Sequence, residues 1–168
     1  MEWFERLMKR YRSKGLLVDT NLLLLLTIGR CDLNLIQSFV RTQKYNIEDF
    51  GLLSRFVTSF RKQVTTPHVL TEISNLTTRL PDHIRPDYFT SLVSHFAAYS
   101  EEAVPFSTAS GMGMFVKFGL TDSAITHIAR NKYLVLTDDF PLANYLQSQK
   151  QDVINFNHLR QMAWSLGA

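Results

Sequence analysis

Apolar and polar positions run along this chain in two rhythms. Short apolar runs recur at 15–18 (GLLV), 133–137 (YLVLT) and 152–156 (DVINF). Stretches of helical spacing stand between them. Residues 2–12 place Trp3, Phe4, Leu7, Met8 and Tyr11 on one helical face, with bases opposite. Asn46 to Lys62 repeats the pattern with Ile47, Phe50, Leu53, Phe56, Val57 and Phe60. Asp32 to Val40 reads as a short helix, and Gln63 to Thr66 as a β-like element. Pro67 then stands at a first helical position, where its missing N–H costs nothing, and the helix runs to Leu80. Pro81 and Pro86 bracket a loop before a helix from Asp87 to Ser100. Glu101 to Gly119, interrupted by Gly111 and Gly113, reads as a short helix or a loop. Thr121 to Asn131 forms a helix with Thr121 as its N-cap and Asp122 in its first turn. Pro141 to Gln149 and His158 to Leu166 are the remaining helices.

The segment GLLVDTNLLLLLTIG, Gly15 to Gly29, breaks both rhythms. A membrane span needs about 20 consecutive apolar residues. Asp19 and Asn21 cut this one and would be costly at a bilayer centre. A charged amphipathic segment precedes the run and no small-residue cleavage site follows it, so a signal peptide is not expected. The run reads instead as a buried strand ending in a carboxylate, followed by a helix, Leu22 to Ile28, buried on all sides.

Short apolar strands alternating with helices predict an α/β fold, a three-layer α/β/α sandwich with a central, mostly parallel sheet. In such sheets ligands bind outside the carboxyl ends of the strands. Four acidic positions fall at such places. Asp19 follows the first strand, Glu72 and Asp122 lie near helix starts, and Asp138 or Asp139 follows YLVLT. One acid at a helix start is usually a dipole-compensating cap worth under about 1 kcal/mol. Four on one rim would repel each other and raise their pKa values unless a divalent cation neutralised them. Oxygen donors select Mg²⁺ or Mn²⁺, the ions of phosphodiester hydrolysis.

The order VDTN, VLTEISNL, GLTDSAITHIA and LVLTDDF resembles the PIN domain family of nucleases from Gly15 to Phe156. The resemblance implies a single domain over 1–168, with a helical extension at 1–14, a nuclease core at 15–156 and a closing helix at 157–168. It makes Asp19, Glu72, Asp122 and Asp139 the catalytic, metal-binding acids, with Asp138 a near alternative to Asp139. Asn21 is expected to orient Asp19 or cap the following helix, and Thr137 to hydrogen-bond the carboxylates or a metal-bound water. It further implies cleavage of RNA with Mg²⁺ or Mn²⁺, frequent homodimers and, in the toxin members, an inhibiting antitoxin. The chain departs from the compact toxins in its N-terminal helix and in the longer interval between Asp19 and Glu72.

Composition narrows this little. The net charge is +3, and the single cysteine, Cys31, excludes an internal disulfide and leads to the expectation of a reducing, cytoplasmic setting. The 12 phenylalanines are expected in the core. Lys117, Arg130 and Lys132 flank the Asp122 helix as candidate RNA contacts, and Lys9, Arg10, Arg12 and Lys14 form a second basic face. His68 and His127 lie near Glu72 and Asp122 and are expected to be structural or exposed. Other classes remain open: a silent RNA- or protein-binding module, a phosphatase with Asp19 as nucleophile, or a structure-specific DNA nuclease. The phosphatase normally has a second Asp where this chain has Asn21.

Overall fold

The computed structural model describes Glu2 to Ser165; the last residues of the expected closing helix, 166–168, lie outside the described residues. Five short strands form one all-parallel sheet: β1 (Leu16–Val18), β2 (Gln63–Thr65), β3 (Ser100–Glu101), β4 (Leu134–Thr137) and β5 (Val153–Asn155). Their order across the sheet is β3-β2-β1-β4-β5. The chain thus builds outward from β1 on one side, then returns to lay β4 on the other, with Leu17 opposite both Val64 and Val135. Parallel strands laid first to one side of β1 and then to the other need crossovers in opposite directions, and the near-universal right-handedness of such connections puts helices on both faces, the expected α/β/α layering. The reversal point lies between β1 and β4, where α/β sheets open a crevice.

The leucine run becomes α2 (Thr20–Cys31), whose Leu22 to Leu26 and Ile28 have no solvent exposure. It packs against α3 (Leu35–Ser38), α4 (Ile47–Thr58), α5 (Pro67–Thr77) and α6 (Arg85–Phe96), so no face is left to be polar. Each such leucine contributes roughly 1.5–3 kcal/mol by leaving water. Asn46 and Asp49 form a reciprocal capping box on α4, and Thr66 caps α5 with Pro67 in its first turn. No described helix is long and apolar enough to cross a membrane.

Several boundaries differ from those expected. The helix over 32–40 shrinks to α3, and α5 stops at Thr77 rather than Leu80. Pro86 lies inside the first turn of α6 rather than closing a loop, a position its fixed φ tolerates. The ambiguous segment holds β3, then α7 (Phe106–Ser110) and the start of α8 (Phe115–Ala129). Within α8, Gly119 leaves helical geometry at φ +81°, ψ −172°, so the chain kinks there. Thr121 is therefore not an N-cap; it lies inside the turn that restarts at Gly119. α9 (Phe140–Ser148) and α10 (Phe156–Ser165) complete the fold.

On α1 (Glu2–Tyr11) only Leu7 and Tyr11 are buried, and Trp3 is exposed. Phe39, Phe56, Phe60 and Phe156 are core, whereas Phe106 and Phe140 are exposed. The basic face of α1 divides. Arg10 pairs with Asp152 at 2.8 Å, while Lys9, Arg12 and Arg61 line a concavity where α1 and α4 end. Cations there offset two negative helix termini.

The α2–α4 contact gives a direct test. A Cβ on Gly29 would fall inside the Phe50 ring, against Cγ as well as the ring edge, so the whole ring must move. Gly29→Ala should lower stability by about 1–2 kcal/mol, the clash exceeding the gain in helix propensity. Urea denaturation measures it, with Gly29→Ala/Phe50→Leu recovering part; an unchanged midpoint would refute the contact.

Candidate functional site

β1 ends at Val18 and β4 at Thr137, side by side, so the residues that follow them emerge on the same rim. Asp19 is buried there. Its backbone N–H donates to the Leu136 carbonyl at 2.9 Å, continuing the sheet for one more step. Its carboxylate caps α2: Oδ1 accepts from the Thr20 N–H at 2.6 Å, and Oδ2 accepts from the Thr137 hydroxyl at 2.6 Å. Thr137 in turn accepts from the Asp139 N–H at 3.0 Å. One buried hydroxyl therefore fixes both acidic loops, as expected for Thr137.

Asp139 caps α9, with Oδ1 accepting from the Leu142 N–H at 2.8 Å. Glu72, in the second turn of α5, is held by two hydroxyls. Oε2 accepts from Thr20 at 2.7 Å and Oε1 from Thr121 at 2.6 Å. That second bond is what Thr121 does in place of capping. Asp122, next in sequence, is half-buried just after the Gly119 kink.

The electrostatics show which acids converge. Burial, with the charges of Asp19, Asp139 and Glu72 adding to it, pushes the Asp122 carboxyl up to about 8. Asp19 is raised to about 6, burial being the largest cause; Asp138 and Asp139 add to the rise and the bonds from Thr137 and Thr20 reduce it. Asp19, Glu72, Asp122 and Asp139 thus share one field.

Asp138 points into a different environment. Its Oδ2 accepts from the Lys44 ammonium at 2.5 Å and the Tyr45 hydroxyl at 2.6 Å. Asn21 donates to its Oδ1 at 3.4 Å, a long contact. Asn21 therefore neither orients Asp19 nor caps α2; Asp19 itself is the cap. Lys44 and Tyr45 had no sequence signal beyond preceding the Asn46 cap.

Of the expected RNA contacts, Lys132 is paired with Glu102 at 3.0 Å and stands two residues before β4 begins, at the sheet edge opposite the acids. Glu102 also accepts from the Tyr133 hydroxyl. Arg130 caps the far end of α8 and is exposed there, away from Asp122. Lys117 is exposed on the near side of the kink, its ammonium over the Phe118 ring. His127 is exposed; His68 lines a cavity with Glu72.

Among the described residues, every donor to Asp19, Glu72 and Asp139 is neutral, a hydroxyl or a backbone N–H, so no opposite charge cancels theirs. Among the described residues, no three His, Cys, Asp or Glu side chains close on a single metal-binding point as they stand. The donor set is oxygen only and carries excess negative charge, which suits a hard cation. Asp19, Glu72, Asp122 and Asp139 are the residues that could hold one.

Neither a protein-family model nor a curated protein matches the chain.

The pKa shifts make stability depend on pH. Both carboxyls titrate above the ordinary aspartate value of about 3.9, so between pH 4 and 8 the folded chain holds more protons than the unfolded one. Stability contributed at these positions therefore falls as pH rises through that window. Asp122→Asn should be near neutral at pH 4 and stabilising at pH 8, by on the order of 2 kcal/mol once solvent screening is allowed for. Denaturation of metal-free protein across this range checks it; a gain independent of pH would sink the assignment.

Proposed function

We propose that this chain is a PIN-type nuclease that hydrolyses RNA phosphodiester bonds, with Mg²⁺ or Mn²⁺ held by Asp19, Glu72, Asp122 and Asp139. The observation that carries the reading is the uncompensated charge on one rim. Asp122 is half-buried, beside three further carboxylates, and its ionisation is opposed by all of them. The order of the four acidic motifs along the chain supports the same reading. The cation supplies a nucleophilic water near neutral pH and Lewis acidity toward the phosphate.

The remaining chemistry belongs to the chain. Thr20 and Thr121 fix both oxygens of Glu72, and Thr137 fixes Asp19 relative to Asp139. These bonds hold the acids without adding positive charge, so their full charge stays available to the cation. Burial and the neighbouring carboxylates favour the protonated form of Asp122 near neutral pH, so a cation held there would have to displace that proton, which would make binding pH-dependent. Asp138, bound by Lys44 and Tyr45, serves as a strut for the loop rather than as a ligand.

A second reading, a catalytically silent RNA- or protein-binding module, has one observation in its favour: the acids do not close on one point. Two measurements separate them. Mn²⁺ at saturating concentration should raise the melting temperature of the protein at pH 7.5 by on the order of 5 °C and do little for Asp122→Asn. A mixed RNA pool should be cleaved with Mn²⁺ or Mg²⁺, not with EDTA, and at least about a hundredfold more slowly by Asp122→Asn. Metal-independent melting together with no cleavage would leave the binding module as the function. Cleavage untouched by Asp122→Asn would show that the site is elsewhere or the activity a contaminant.

A further inference from the structure

A cavity of about 350 Å³ opens directly against Glu72, walled by Pro67, His68, Thr71, Leu120 and Thr121. Thr121 belongs both to this wall and to the pair of hydroxyls that hold Glu72, so the cavity and the acidic rim are continuous. No Lys or Arg lines it, which makes it a poor seat for a phosphate. Most of its wall surface is apolar, with hydroxyls, one imidazole and the Glu72 carboxylate as the polar exceptions. His68 lies one helical turn before Glu72; its Nδ1 is shielded from solvent and does not open into the cavity, which leaves the other ring edge to meet a ligand. A small concave site with apolar walls and a few polar groups is the usual form of a small-ligand pocket. The volume is at the low end of that class and suits one base and its sugar rather than two.

We propose that this cavity is a single-nucleoside subsite, seating the base next to the phosphate that the acids address, with Leu120 and Pro67 packing on the base and His68 and Thr71 meeting its polar edge. This inference rests on the nuclease reading and deepens it by naming the substrate class. A base can enter only if it is unpaired, so the substrate is single-stranded at that position. The wall chemistry recognises a nucleoside in either sugar form, and matched ribo- and deoxyribo-oligonucleotides distinguish the two sources.

The test uses the full chain and a short labelled oligoadenylate, with a set in which each base in turn is replaced by hydrogen. Binding is read by anisotropy in EDTA at low salt, and cleavage by product mapping with Mn²⁺. His68→Ala and Leu120→Trp, the second filling the cavity, are compared with wild type after circular dichroism confirms folding. If the cavity is the subsite, deleting one particular base weakens binding on the order of tenfold. Both variants weaken the intact strand by a similar factor and leave the strand lacking that base unchanged. Equal effects on intact and base-deleted strands would overturn the subsite. So would wild-type protein indifferent to every deletion. Absence of cleavage with this binding pattern intact would retain the subsite and reject the nuclease reading. Cleavage without the pattern would do the reverse.

Discussion

Repulsion among carboxylates on one sheet rim is the interaction that the rest of this molecule is arranged to sustain. A parallel sheet that builds outward from β1 and then returns to its other side must deliver the ends of β1 and β4 to adjacent points. Asp19 and Asp139 stand at those points, and Glu72 and Asp122 approach from helices on either flank. Proteins usually disperse such charge with a nearby base. Here the base that is nearby, Lys44, is engaged by Asp138. Asp19 and Glu72 are met instead by threonines. Thr20, Thr121 and Thr137 set angle and distance while leaving each carboxylate its charge.

The fold tolerates this because the elements beneath the rim have little freedom to respond. β1 is fully buried, and α2 is buried along most of its length against four helices. Asp19 joins them and is itself the cap of α2, so moving it would unsatisfy the helix terminus as well as the site. A second anchor comes from the opposite end of the chain. Arg160 on α10 binds Asp49 of the α4 capping box at 2.7 Å, and Asn157 donates to the Asp138 carbonyl at 3.1 Å. The loop that carries Asp138 and Asp139 is thereby tied to an element distant in sequence.

What could be read from the chain follows from how local the causes are. The four longer strands, the buried α2 and the placement of the four acids beside strand ends and helix starts were legible because each is written in a short window: an apolar run, a carboxylate at its end, a helix start. β3 was not legible, since two residues carry no period and the strand exists through its pairing with β2. The Gly119 kink was hidden because apolar residues continue across it. Thr121 looked like a cap for the same local reason and proved to be a donor to a residue 49 positions away. Lys44, Tyr45 and the second role of Thr20 are likewise long-range and leave no pattern in sequence. The placement of Arg130 at the C-terminal end of α8 and of Lys132 ahead of β4 was equally hidden, because sequence proximity to Asp122 says nothing about which end of a helix or strand a residue occupies.

Gly119 carries a wider consequence. No side-chain or backbone atom would crowd a Cβ there, so the requirement for glycine is purely one of backbone dihedral, in a region that L-residues avoid. The joint separates α8 into two lengths with different obligations. The later one must keep Thr121 and Asp122 in register with Glu72. The earlier one, with Val116 almost wholly exposed, carries none of the four acids and packs through Phe118 on Tyr145 of α9. Changes on its exposed side are therefore free of the dihedral demand at 119, whereas any side chain at 119 itself must meet a backbone cost before Thr121 can reach Glu72.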